Sequence, residues 1–502
     1  MPVPTRIRPA WIHVAFLIAL CGLLLLPRLG ASGLSYTEGH RAIPAWEMLE
    51  SGDALVTTMF DRVYMRKPPG MAWGIALSSI VFGQTEFAAR FVSVLCSTAM
   101  VLVAYGFARR WFGARWALAA GFAQLLWPMF WDSARTAEIE AMNNLFSQLS
   151  VLLLIDLLAF KRRRRAQGAV LWTVAMVLSL LGMMLAKGPA GVPAVIAAAA
   201  GCCVALRSPK ALLHPAFGMA LLLSVGMIAG IAALIFARLA DLDTESVTQG
   251  MQPFLWDPSR LLGVLVLVPA AFIAALPVSI AILFPFGADA ASEWKGDPRS
   301  LRAGRALGWS IAIGLVGMMF IGVSNVRYTM PVLVSAAPLV AYVVRGLGGA
   351  FDPVRLRDAK IALLGSPFVW VLILGLSYAG FMFLYEPSRR ASSGREVGIE
   401  VSAVLPESGE IWGSSLVDSR PELLWYATSG TGVRAKWGTA EQLEQAWESG
   451  QLVALRIDEG TRERAMFDRI SGDERFTLYF EGTVHKYEFV VVGRSIDGGT
   501  QP

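Results

Sequence analysis

Charged residues are scarce in this chain. Only 16% of its 502 residues are Asp, Glu, Lys or Arg, against 55% hydrophobic ones. A soluble globule carries nearer a quarter charged residues and needs fewer apolar ones to fill its core, so an ordinary soluble protein is excluded. Cysteine is scarce too, and Cys21, Cys96, Cys202 and Cys203 all fall inside apolar runs. They read as buried thiols, which excludes a disulfide framework or a cysteine-built metal site. No nucleotide-binding glycine loop and no serine nucleophile elbow stands in the polar part of the chain, and no Cys or His metal cluster does either. What remains is an integral membrane protein.

The basic residues orient it. Two arginines precede an apolar run from about Trp11 to Leu26, with no small-residue cleavage pattern after it, so the run reads as an uncleaved span. Short loops rich in Lys and Arg stay cytoplasmic. The run "KRRRR", Lys161 to Arg165, and the loop "ARRWFGAR" are therefore placed inside, and "YTEGHRAIPAWEMLESGD", Tyr36 to Asp53, outside. Further apolar runs fall near 91–107, 116–128, 142–160, 169–186, 190–206, 215–237, 259–284, 306–323, 330–346 and 360–384. The expectation is about 11 to 13 transmembrane helices. The stretch Gly70 to Gly83 is apolar but shorter than the roughly 20 residues a crossing helix needs, so it is read as surface-lying or partly inserted.

From about Pro387 no run can span. This tail holds 13 Lys and Arg against 18 Asp and Glu, a balance of −5, leaving 31 against 20 in the rest of the chain. Strands are expected at "EIWGSSL", "QLVALRI", "FTLYF" and "YEFVVVG". Helices are expected at "TAEQLEQAWES" and "TRERAMFDRI", with Thr as N-cap. The alternation predicts a small α/β domain over 387–502 on the outer side, following a membrane domain over 1–386 whose first outer loop covers about 28–87.

Charges near a bilayer cost several kcal/mol unless they face water, a partner or a ligand. Five clusters fall on the outer side: Glu38, His40 and Arg41; Asp61, Arg62, Arg66 and Lys67; Arg135, Glu138 and Glu140; Lys187; and Arg327 with Tyr328. A carboxylate to activate a hydroxyl, with Arg and Lys to hold a phosphate, suits transfer of a group from an anionic lipid. The competing reading for each residue is a solvated loop charge, a helix cap or an interfacial anchor. Nothing in the chain points to nucleic acid.

The motifs "KPP", "EFAARFVSVL", "ARTAEIEAMNN", "KGPAGVPAV" and "RYTMPVL", in that order, resemble the GT-C fold membrane glycosyltransferases of the lipid A aminoarabinose transferase and protein O-mannosyltransferase type. The resemblance covers roughly residues 10 to 345. It implies a polyprenyl-phosphate sugar donor and a lipid, glycan or protein acceptor at the outer face of the cytoplasmic membrane, with hexose or pentose left open. That family's first loop usually carries Asp-Glu, then Arg two residues later and Tyr. Here Thr37 stands at the Asp position, Glu38 at the Glu position and His40 at the Arg position. The second outer acid falls on Glu140, with Glu138 beside it. The resemblance thus implies Glu38, Glu140 and Glu138 as catalytic carboxylates. It offers Arg66, Lys67, Arg327, Tyr328, Lys187, His40 and Arg135 for substrate. No cofactor is assigned, and a divalent metal is left open, since it would need His40 with Glu38 or another outer carboxylate. The alternative is a polytopic lipid or glycan transporter, which should show ionisable residues mid-span with broken helices or an inverted repeat.

Overall fold

The computed structural model describes residues 10–35, 37–159, 166–240, 271, 297–320, 325–348, 375–383 and 393–494. The expected span near 259–284, most of that near 360–384 and the basic run Lys161 to Arg165 lie outside them. The chain divides into two compact units. The first comprises Met1–Pro27, Phe91–Phe236 and Gln252–Phe381; the second comprises Arg28–Arg90, Ala237–Met251 and Met382–Pro502.

The first unit is helical, as a polytopic membrane protein requires, because in lipid every backbone N–H and C=O must be satisfied within its own segment. Among the described residues, Glu86–Phe112, Ile139–Ala159, Gln167–Leu206 and Pro215–Ala240 are long and apolar enough to cross a membrane. The pair Val326–Leu333 and Ala336–Gly346 is bent by 54° and makes a fifth if it counts as one broken span. Breaks fall where the chemistry demands them. Gly113 and Gly188 take left-handed conformations, at φ 96° and 65°, while Pro128 and Pro193 sit in the first turns of Pro128–Arg135 and Val192–Leu206.

Small residues let these helices approach closely, which is how helices pack when lipid supplies no hydrophobic drive. A Cβ on Gly201 would stand 2.6 Å from the Ser310 backbone nitrogen, so Val192–Leu206 and Pro298–Phe320 meet almost backbone to backbone. Several charges in this unit are paired. Asp156 accepts from Arg110 Nε at 2.7 Å and Trp111 Nε1 at 3.2 Å, and Arg345 reaches Asp297 at 3.0 Å.

The second unit joins the loop that follows the first apolar run to the α/β tail. The loop holds the helix Gly39–Ser51, a small hairpin of β1 (Thr58–Met59) and β2 (Arg62–Val63), and the helix Gly70–Phe82. That last helix has 13 residues, about 20 Å at 1.5 Å per residue, short of the ~30 Å hydrocarbon thickness. The tail is a five-stranded sheet ordered β4-β3-β5-β7-β6, from β3 (Gly409–Gly413), β4 (Val433–Trp437), β5 (Leu452–Arg456), β6 (Phe476–Val484) and β7 (Tyr487–Arg494). β3 runs parallel to β4 and β5, and β7 runs antiparallel to β5 and β6. All four expected strands form. Both expected helices form as Ala440–Glu448 and Arg462–Ile470, with Thr439 and Thr461 as N-caps.

Beneath the sheet, Leu443, Trp447, Val453, Leu455, Met466, Val490 and Val492 form one apolar core. Open α/β sheets ordinarily bind ligands at the carboxyl ends of their parallel strands, where the strand order reverses. Here the buried Glu463 stands at that place, its carboxylate accepting from the Ser415 and Arg456 backbone nitrogens.

Candidate functional site

In the first unit, the residues singled out at three separate apolar-run ends come together. Glu140 sits in the first turn of Ile139–Ala159 and Lys187 in the last turn of Ala166–Lys187, each at the helix end whose dipole favours its charge. Lys187 Nζ donates to Glu140 Oε1 at 2.6 Å, and both side chains are buried, at 6% and 8% exposure. Arg327 Nε lies 3.8 Å from the same oxygen and is 45% exposed. Asn325 accepts the Arg327 backbone N–H and opens the 3-10 turn Val326–Thr329 that presents it.

The Tyr328 ring centre stands 4.4 Å from Lys187 Nζ and 5.6 Å from the Arg327 guanidinium carbon. Two cations thus share one carboxylate against an aromatic face. The half-buried Glu138 also acts on Arg327 by its charge. Such a set has cationic capacity for an anion beyond Glu140 itself, and a carboxylate alongside it to orient a hydroxyl.

Arg135 takes a different place. Its terminal nitrogens donate to the Leu25 and Pro27 carbonyls at 2.8 Å, closing the C-terminal end of Ala10–Leu25, where helix carbonyls lack intrahelical partners.

In the second unit, Glu38 is 1% exposed at the N-cap position of Gly39–Ser51. Its side chain points at Arg90 instead of capping the helix. Arg90 Nε and Nη2 each donate to one Glu38 oxygen at 2.8 Å, a bidentate fork. The remaining Arg90 N–H groups donate to the carbonyls of Leu29, Ser32 and Gly33 at 2.7 to 2.8 Å. Ser35 donates to Glu38 through both its backbone N–H and its hydroxyl.

His40 is buried, and its Nε2 donates to the Asp418 carbonyl at 3.1 Å. Burial, helped by the charge of Arg41, pushes its pKa down to about 4. The unfolded chain, titrating near 6.5, therefore takes up the proton first. Stability conferred here is present above about pH 6.5 and is lost as pH falls toward 4. In nitrogen-resolved NMR, His40 is expected to show no titration across roughly pH 5.5 to 8, and a midpoint near the ordinary His value of about 6.5 would contradict this.

Arg66 and Lys67 are exposed. Arg66 reaches Asp418 at 3.3 Å, and Arg62 reaches the same carboxylate at 3.8 Å while stacking 3.5 Å over Trp437. Among the described residues, no three His, Cys, Asp or Glu side chains gather as a metal site would require.

Sequence reasoning missed Arg90, although it stands within "EFAARFVSVL". An arginine in an apolar run, costly to bury, was the signal available. It also missed Asp418, Glu422 and Tyr426, whose tail positions carry no motif.

Residues 66–231 match the family described as dolichyl-phosphate-mannose-protein mannosyltransferase. The chain is 31% identical over 177 residues to an uncharacterized protein of Aquifex aeolicus, covering 35% of this chain and 34% of that one. It is 30% identical over 177 residues to the undecaprenyl phosphate-α-4-amino-4-deoxy-L-arabinose arabinosyl transferase of Pseudomonas aeruginosa, covering 35% and 31% respectively. The match thus spans about a third of the length of these curated relatives. Over its whole length the fold is similar to the crystal structure of ArnT from Cupriavidus metallidurans bound to undecaprenyl phosphate. That likeness has a TM-score of 0.69 at 18% identity and covers 96% of this chain and 98% of that one. The GT-C type fold and the likeness to ArnT and the mannosyltransferases, expected from the motifs, are borne out.

Proposed function

We propose that this chain is an integral membrane glycosyltransferase that moves a sugar from a polyprenyl-phosphate donor to a lipid, glycan or protein acceptor at the outer face of the cytoplasmic membrane. The observation that carries this reading is the cluster of Lys187, Arg327, Tyr328 and Glu140, two cations against an aromatic ring with a built-in carboxylate. Support also comes from the similar arabinosyl transferase, whose name specifies an undecaprenyl-phosphate sugar, and from the ArnT structure bound to undecaprenyl phosphate.

In the reaction an acceptor hydroxyl attacks the anomeric carbon, a new glycosidic C–O bond forms, and the bond from that carbon to the phosphate oxygen breaks. The hydroxyl proton passes to a carboxylate, and the polyprenyl phosphate leaves with the bonding pair. Lys187 and Arg327 stabilise the charge growing on that phosphate. Glu140, with Glu138 beside it, orients or deprotonates the hydroxyl. Glu38, held on both oxygens by Arg90, fits a part in holding the loop better than a base free to take a proton. Arg66 and Lys67, exposed on the same loop, are offered as further phosphate contacts, and His40 as a neutral loop anchor.

A transporter draws on one observation, the bent pair Val326–Leu333 and Ala336–Gly346 that carries Arg327, since broken helices serve transport sites. Mass spectrometry of envelope lipids, glycans and proteins from cells with and without the gene separates the two readings. A transferase is expected to remove one sugar mass from one acceptor class. Unchanged masses with an altered distribution of lipid between leaflets would overturn it in favour of transport.

A further inference from the structure

The tail carries no motif that the sequence reading could place, yet one of its faces is built around the first outer loop. Within the second unit, the Tyr426 hydroxyl accepts the Leu34 backbone N–H at 2.6 Å and donates to Glu86 Oε1 at 2.9 Å. Ser35 pairs with Ser393 as an antiparallel bridge, and His40 donates to the Asp418 carbonyl. Trp46 lies 4.4 Å from Trp425, ring centre to ring centre.

Two loop glycines make the approach close enough for this. A Cβ on Gly33 would stand 2.2 Å from Ser393 Oγ and 3.0 Å from the Tyr426 hydroxyl. One on Gly39 would stand 3.2 Å from both the backbone nitrogen and Oε2 of Glu422. Glu422 is itself fully buried, with Arg420 Nε at 2.8 Å from its Oε1.

We propose that the helix Pro421–Thr428 is a positioning element for the first outer loop, in which Tyr426 and Glu422 are the positioning residues that hold the segment Leu34 to His40 bearing Glu38. The tail then has an internal client, the loop, and needs no external partner to account for this face. The packing is the same whatever reaction the membrane helices perform.

Glu422 gives the docking a pH dependence. Burial raises its pKa to about 7, with Arg420 pulling it down and Glu38 pushing it up. Other charged groups lie on the elements packed against this helix. His40 and Arg41 come from Gly39–Ser51, Arg395 and Glu396 from Arg395–Ser402, Asp418 from Ser415–Ser419, and Arg434 and Lys436 from β4. A carboxyl whose folded pKa is raised favours the docked state below its unfolded value, near 4.3, and that contribution is lost as pH rises through about 7.

The test is hydrogen–deuterium exchange by mass spectrometry on the full chain in detergent, read as protection of peptides covering residues 34–41 after correction for intrinsic exchange. Tyr426→Phe keeps the ring and removes the acceptor. It is expected to lower protection at Leu34 about tenfold, as loss of a buried hydrogen bond would, while Ile139–Ala159 stays as protected as before. In the wild type, protection of the segment is expected to fall several-fold between about pH 6 and pH 8, and Glu422→Gln, which cannot ionise, is expected to flatten that profile. Wild-type protection in Tyr426→Phe overturns the positioning role of Tyr426. A pH slope that persists in Glu422→Gln overturns that of Glu422. Neither readout depends on sugar transfer, so failure here and failure of the transferase reading are distinguishable.

Discussion

Replacing Arg90 with leucine is expected to cost about 3 to 5 kcal/mol of stability, the usual penalty for removing one partner of a buried ion pair. Arg90 and Glu38 are each 1% exposed. Taking the guanidinium away leaves the Glu38 carboxylate in a dry interior with only Ser35 donating to it among the hydrogen bonds described above. It also strips the Leu29, Ser32 and Gly33 carbonyls of their donor. Glu38→Leu is expected to be comparably harmful, because it strands the cation. The double variant should be less harmful than the sum of the two, by about 2 kcal/mol or more, since the stranded charge is then gone.

Membrane proteins of this size often unfold irreversibly, so the comparison is best made by proteolytic susceptibility and apparent melting in one detergent at one heating rate. An Arg90→Leu chain within about 0.5 kcal/mol of wild type would show that the fork contributes nothing. The same measurement decides how Glu38 is used. Glu38→Gln keeps the shape and removes the charge, so it is expected to lose stability and sugar transfer together. A Glu38→Gln chain that melts like wild type yet transfers nothing would instead give Glu38 the part of the base.

The parts of this architecture that were legible in the sequence are those set by local physics. Among the described residues, apolar runs became helices because a continuous run satisfies its own backbone, while the run near 330–346 bends by 54° between Leu333 and Ala336. Thr439 and Thr461 mark helix starts because a hydroxyl can accept from the first free N–H groups. β4 was missed because "VRAKW" has a short, charged alternation that resembles a loop, and its strand identity comes from pairing with β3.

The charged residues divide in the same way. Glu140, Lys187 and Arg327 each end an apolar run, and ends of runs on one side of a membrane are brought near one another by the fold, so scattered positions could be nominated as a set. Arg90, Glu422 and Tyr426 owe their roles to contacts 52 to 392 residues away in the chain. Spacing does not report such contacts. Glu38 shows the limit from the other side, since its motif position was readable but the arginine on both its oxygens was not.

Lys187→Met should reduce sugar transfer by roughly 10² to 10³, the scale of losing one fixed charge aimed at a developing anion. The Lys187 side chain is only 6% exposed, so its charge acts with little screening, and its helix end and the Tyr328 ring hold it in one orientation. Arg327 is 45% exposed and farther from Glu140, so Arg327→Met should cost less, about tenfold, with an effect that shrinks as salt rises.

The informative contrast is with Glu140→Gln. If Lys187 served only to neutralise Glu140, the two substitutions would harm the same pair and both would lower stability alike. If Lys187 also holds the donor phosphate, they diverge. Lys187→Met should weaken binding of undecaprenyl phosphate at least about tenfold, equivalent to 1.4 kcal/mol. Glu140→Gln removes the competing carboxylate and should leave that binding unchanged or tighter while turnover falls. Binding can be followed by displacement of a fluorescent polyprenyl phosphate from purified protein in nanodiscs. Equal affinities for the two variants would reduce the Lys187–Glu140 pair to a structural brace. A drop confined to Lys187→Met assigns the phosphate to the lysine and leaves the carboxylate for the acceptor.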